Sequence, residues 1–472
     1  MHFPVRLCSL PRQPLLADWY AENHEAVTRA LADWVAIPSV VSLADLAANG
    51  EWAAAFCSRH MTSIGLRHAT IIDTAGQPAA YAEWHGAGDD ALTVLVVGHS
   101  DVQPAAPLAE WSVPPFAATV EADRITGRGV ADAKGPILAA IESMHGSLAS
   151  GNTPRINVKF LVEGESTIGS PNLADLLGAN SERFAADVVV VPVPGAGFDG
   201  RPTVLAGTRG QLLVHLQART ATHDAYTGNY AGGIANPVDV IAKLISDLHR
   251  ADGRINIPGF YHRVRDLSDR GREILATIGF DQQAWLDVPG ARVVGGEQGF
   301  TPLERILARP SADVTAIAAG NRSASDKAII PATASATIAF GLVPDQSDAE
   351  VLASVRSWVS ARLPKGVELT VDVEGGNRAH VVSVSHPAFG ALLRATKRVW
   401  GSEPVLSRHG GVGAPDALLD HIGSTPLLLV PVGGAASRLQ SPNECLTHED
   451  LRRATLTFAE LWAELEKIPP DR

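Results

Sequence analysis

The amino-acid sequence predicts an α/β fold carrying an inserted α+β unit. Its first 209 residues alternate short, wholly apolar strands with helical segments, the pattern of a largely parallel sheet covered by helices. From Gly210 the strands change to alternating polarity, and after residue 381 the first pattern returns. A chain of 472 residues is also too long for one compact core. Domains are therefore expected over 1–209, 210–381 and 382–472, the first and last being two parts of one unit.

The elements follow in order. Val27, Ala30, Leu31, Trp34 and Val35 recur at helical spacing and stop before Pro38, predicting a helix over 21–36. The apolar strand 91–97 runs into Gly98-His99-Ser100-Asp101, and 135–150 reads as a helix. The strand 157–162 enters a turn that ends Ile168-Gly169-Ser170, and 187–193 is apolar on both faces, as in a central strand. The inserted unit reads as strand 211–219, a Gly-rich loop, helix 238–250, strand 332–343, helix 348–363 and strand 367–375. Such an order suits a β-α-β-β-α-β, ferredoxin-like sheet with two helices on one face. A helix at 387–400, a loop at 407–419, a strand at 425–432 and a helix at 448–465 complete the first unit.

Composition narrows the function. The chain is 46% hydrophobic and 19% charged, and its net charge of −12 is spread along its length. That distribution argues against nucleic acid or an anionic membrane as partner. Cys8, Cys57 and Cys445 are odd in number and far apart, which fits neither a disulfide framework nor a CxxC metal site and points to a reducing cytoplasm. No apolar window reaches the length of about 18 residues that a membrane span needs, and no signal-peptide pattern is read in the first residues.

Several motifs in a fixed order carry a more specific signal. GHSDVQP at 98–104, GRGVADAKGP at 127–136, EGESTIGSPNL from Glu163, GTRG at 207–210, YTGNYAGGIANP at 226–237 and SPNE at 441–444 together resemble the M20 family of zinc aminoacylases and dipeptidases. The resemblance implies a zinc-peptidase-like three-layer catalytic domain, with an inserted lid domain through which a homodimer forms. It also implies two metals. One would be held by His99, Asp132 and position 193, the other by Asp132 and positions 167 and 440, with a general base at position 166. This chain has Val193, Thr167, Gln440 and Ser166 there, and serine and threonine lack a pKa suited to that base. Tyr226 replaces the family's lid histidine, Gly341 its carboxylate-clamping arginine, and Gly410-Gly411-Val412 its GGSxP loop.

From these differences the sequence leads to the expectation of no metal and no cofactor, with Asp101 orienting His99 as a general base. Asp132, Ser166, Thr167 and Tyr226 are the other candidate catalytic residues. Glu165, Asn236, His409 and Gln440 are candidates for substrate binding. An Asp101-His99-Ser166 or Thr167 relay is weighed behind the simple base. Asp132 is expected to rise in pKa for want of a metal charge, and Lys134 to pair with it. The expected function is a metal-independent biosynthetic enzyme acting on a small amide, amino-acid-like or imine-bearing molecule. Two alternatives stand beside it: a pseudoenzyme that binds a ligand or partner, and a metallohydrolase with one metal or a rebuilt site, to which His223 or His409 could contribute.

Overall fold

The computed structural model describes residues 12–197, 200–320, 328–411 and 413–470. Cys8 and Val412 lie outside them. The larger unit is built on a six-stranded sheet in the order Arg67–Ile72, Ala79–Trp84, Asn157–Glu163, Thr93–His99, Val188–Gly197, Leu427–Gly434. The last four strands run parallel and the first two are antiparallel additions at the edge. Their near-continuous Val and Leu content reflects burial on both faces.

Helices Arg12–Val35, Lys134–Ala149, Pro387–Trp400 and His448–Leu465 pack against one another over this sheet. Lys134–Ala149 buries nearly its whole circumference, as a helix apolar on all sides must. Its Ser143 hydroxyl accepts the indole N–H of the buried Trp462 at 2.8 Å, which ties the last helix to it. Pro387 at the first turn, with Gly401 left-handed at φ 71°, sets both ends of the helix expected at 387–400.

The second sheet has four strands in the order Ser311–Ala319, Thr333–Leu342, Gly210–Arg219, Glu368–Asn377, all antiparallel. Strand Thr333–Leu342 alternates buried and half-buried residues along its length. Leu212, Val214, Ile338 and Phe340 form a core with Val240, Ile241, Val355 and Trp358 from two helices. This is the ferredoxin-like arrangement expected. No element was expected between 251 and 331, where the structure has helices Asp269–Ala276, Gln282–Asp287 and Pro302–Ala308 and the strand Ser311–Ala319. That strand is largely exposed, so it lacks the apolar alternation by which strands are recognised. Among the described residues no helix is long and apolar enough to cross a membrane.

Candidate active site

The carboxyl ends of the parallel strands converge on one cavity, where open α/β sheets bind their ligands. His99 ends its strand opposite Glu163 in register. Its Nδ1 lies 3.1 Å from Asp101 Oδ1 and its Nε2 lies 3.6 Å from Asp132 Oδ1. Asp101 is wholly buried and is itself held from behind. Its Oδ1 accepts from the Ser166 N–H at 3.1 Å, and its Oδ2 accepts from the Thr167 N–H at 2.7 Å and the Thr167 hydroxyl at 2.5 Å. The first N–H groups of the short turn Ser166–Ile168 thus serve an anion.

Asp132 is positioned by a buried support. Glu444 Oε1 accepts the N–H groups of Gly129, Ala131 and Asp132 at 3.1, 2.9 and 3.0 Å, while its Oε2 accepts from Arg128 Nη1 at 2.6 Å. Gln440 Nε2 donates to Asp132 Oδ2 at 2.7 Å. Lys134 does not pair with Asp132 as expected. It is buried and turns away to donate to the carbonyls of Trp34 and Ile37 at 2.9 and 2.8 Å, and burial brings its pKa down to about 7.

Burial alone would lower the pKa of His99, but hydrogen bonds and charge from Asp101 and Asp132 outweigh it and raise it well above the ordinary histidine value. The expected rise at Asp132 is corrected for the same reason. Burial does push it up, yet His99 and Gln440 hold it below the usual carboxylate range. Burial, reinforced by Asp101, pushes Glu163 up to about 7 against the opposing hydrogen bond from Ser170 Oγ at 2.7 Å.

The cavity measures about 590 Å³ and is lined by both sheets. His99, Asp132, Ser166, Thr167, His409 and Gln440 all line it, together with Val193, and Asp101 stands directly behind His99. Three expected residues are not brought there. Tyr226 is 61% exposed and outside the cavity, because it lies on the short strand Ala225–Tyr226 paired with Ile329–Ile330. Glu165 is buried and its carboxylate accepts from the Gln77 N–H and Asn172 Nδ2, so it fixes a loop. Asn236 caps the helix Pro237–Ser246 by accepting the Val238 N–H at 3.0 Å.

The relay through a hydroxyl does not form either. Both ring nitrogens of His99 face carboxylates, and the Thr167 proton is given to Asp101. His409 accepts the Gly411 N–H at 3.2 Å, and burial lowers its pKa against Gly411 and Asp132. His223 is exposed, bonded to Thr222, and does not line the cavity. Among the described residues no three or more His, Cys, Asp or Glu side chains converge as metal donors.

Spacing in the sequence missed Gln211 and Asn377 from the second sheet and Arg408 from the strand Val405–His409, all of which line the cavity. They are far apart along the chain, on strands of different sheets, and meet only in the folded protein. Arg408 stands beside His409, which was the one signal that could have drawn attention to it.

Residues 95–464 match the sequence profile described as Peptidase family M20/M25/M40. A Beta-Ala-His dipeptidase of Homo sapiens is 24% identical over 381 residues, covering 80% of this chain and 75% of its own length. Cys-Gly metallodipeptidase dug1 of Schizosaccharomyces pombe is 24% identical over 445 residues, 93% of each chain. The solved structure of the di-peptidase Dug1p from Saccharomyces cerevisiae superposes with a TM-score of 0.89 at 22% identity, covering 97% of this chain and 99% of that one. These likenesses overturn the expectation of a metal-independent biosynthetic enzyme on a degenerate metal site, since relatives along nearly the whole length are named dipeptidases, one of them a metallodipeptidase.

Proposed function

Because this chain belongs to peptidase family M20/M25/M40, we propose that it is a hydrolase of small amides, with dipeptides as its substrates and a rebuilt site that takes one metal ion. The observation that carries this reading is the cavity of about 590 Å³ into which His99 and Asp132 both project beneath the second sheet. A volume of this order suits a small ligand.

A metal pair does not fit these residues. Val193 offers no donor, and the Thr167 hydroxyl is committed to Asp101. His99 Nε2 and Asp132 Oδ1, which face each other at 3.6 Å, are the two donors that would hold a single ion, with solvent or substrate supplying its remaining positions. Asp101 on the far nitrogen of His99 is the partner that keeps a ligating imidazole in one tautomer. A divalent ion held there would supply polarisation of the amide carbonyl and acidification of a water.

The chain's own groups do the rest. Gln440 steadies Asp132 by holding its second oxygen. Glu163, with its pKa near 7, holds or gives up a proton at the cavity wall near neutral pH. Gln211 and Asn377, from the second sheet, bound the cavity with polar groups able to orient an amide. Pairing of two copies through the inserted unit, over 210–381, and a cytoplasmic location with Cys57 and Cys445 as free thiols belong to the same reading.

The test is release of free amino acids from a panel of dipeptides by protein loaded with zinc, manganese or cobalt. Cleavage that disappears in both His99→Ala and Asp132→Ala is the expected result. No cleavage of any dipeptide at any metal load, with the protein folded, would sink the proposal.

A further inference from the structure

We propose that Arg408 reads the terminal carboxylate of the substrate, a specificity role that rests on the dipeptidase reading above. Arg408 is the only arginine or lysine among the described residues that line the cavity. Other buried arginines of the chain are engaged: Arg128 by Glu444, Arg309 by Glu297, and Arg209 by the Ile306 carbonyl and the Ser311 hydroxyl. The guanidinium of Arg408 is half-buried, and among the described residues no hydrogen bond or ion pair holds it. Partial desolvation without a counter-charge is unfavourable. An anionic ligand group would remove that cost and supply the bidentate acceptor that a guanidinium matches.

The position at which the resemblance implies a clamping arginine does not supply one here. That position is Gly341, and a Cβ placed on it would come within 1.5 Å of Arg209 Nη2. Arg209 fills the space and points its donors at Ile306 and Ser311. Among the described residues, the arginine that does line the cavity comes from strand Val405–His409. Arg408, His409, His99 and Asp132 all line this one cavity, so Arg408 shares it with the reacting groups. An amide at His99 and Asp132 can thus belong to a molecule whose carboxylate meets Arg408.

The experiment is calorimetric binding, on the full chain, of a reduced-amide dipeptide that cannot be cleaved and of its C-terminal carboxamide. Wild-type protein is expected to bind the acid at least about tenfold tighter than the carboxamide, the discrimination that one charge-assisted hydrogen bond supports. Arg408→Met should bind the two alike, and Arg408→Lys should recover part of the preference. Equal binding by wild type, or an acid preference that survives in folded Arg408→Met, overturns the role. Acid preference through Arg408 without cleavage of any dipeptide would leave the subsite standing and remove the hydrolase reading. Cleavage of dipeptides and their carboxamides at equal rates would do the reverse.

Discussion

Restoring a side chain at Gly341 should unseat Arg209, and the cost can be worked from the contacts. A Cβ at residue 341 would meet Arg209 Nη2 at 1.5 Å, Cζ at 2.5 Å and Ser311 Oγ at 2.7 Å. The overlapping atoms are the far end of a long side chain, so Arg209 can swing aside, but only by surrendering its bonds to Ile306 O at 3.1 Å and Ser311 Oγ at 2.7 Å. Two hydrogen bonds from a charged donor amount to about 3 kcal/mol or more. Replacing a strand glycine returns roughly 0.5–1 kcal/mol. Gly341→Ala should therefore destabilise by about 2 kcal/mol and Arg209→Ala by about 3 kcal/mol, both read from urea unfolding. In the double variant the clash is gone, so it should cost no more than Arg209→Ala alone, giving a coupling of about 2 kcal/mol in the cycle. Additive effects, with the double variant near 5 kcal/mol, would refute the steric link.

Further outcomes follow from the site. Asp101→Asn should weaken metal binding by roughly 10–100-fold in calorimetry, as loss of the partner behind a ligating imidazole does. Thr167→Val should cost about 2 kcal/mol of stability through the lost bond to Asp101, while turnover stays within about tenfold because the hydroxyl is not the nucleophile. Away from the site, Glu142 is buried between His60 at 2.6 Å and His145 at 2.9 Å. Burial would raise its pKa, but these two rings hold it below the usual value. Its folded pKa is depressed, so its contribution to stability is present above the unfolded carboxyl value of about 4.3 and is lost as pH falls through the folded value. Glu142→Gln should then be less stable than wild type at pH 7 and approach it as the solution is acidified, measured by thermal unfolding at a series of pH values.

The parallel strands were legible because burial on both faces leaves them almost purely apolar, as in residues 188–193. Helix ends carried their own signals, Pro387 and Gly401 among them. His99, Asp101 and Asp132 could be found because the resemblance fixes their motifs. What the carboxylates do to one another could not: the lowered Asp132 depends on a 3.6 Å approach of His99, and the support from Glu444 spans more than 300 residues of chain. Tyr226 stands exposed in the single chain and outside the cavity, a placement that its motif alone does not signal. Arg209 is visible in the sequence only as part of the GTRG motif, and its occupation of the space at Gly341 is a property of packing between strands. The shift in function had a different source. Lost ligands at 167, 193 and 440 suggested lost hydrolysis, whereas the relatives along the chain are dipeptidases.

The most direct measurement is titration of metal-stripped full-length protein with zinc while dipeptide cleavage is followed in the same samples. The dipeptidase reading predicts one equivalent bound, activity rising to its plateau at that same equivalent, and loss of both in His99→Ala and Asp132→Ala. Two equivalents bound at the site would contradict the single-ion arrangement. Zinc uptake with no dipeptide cleaved would contradict the function itself.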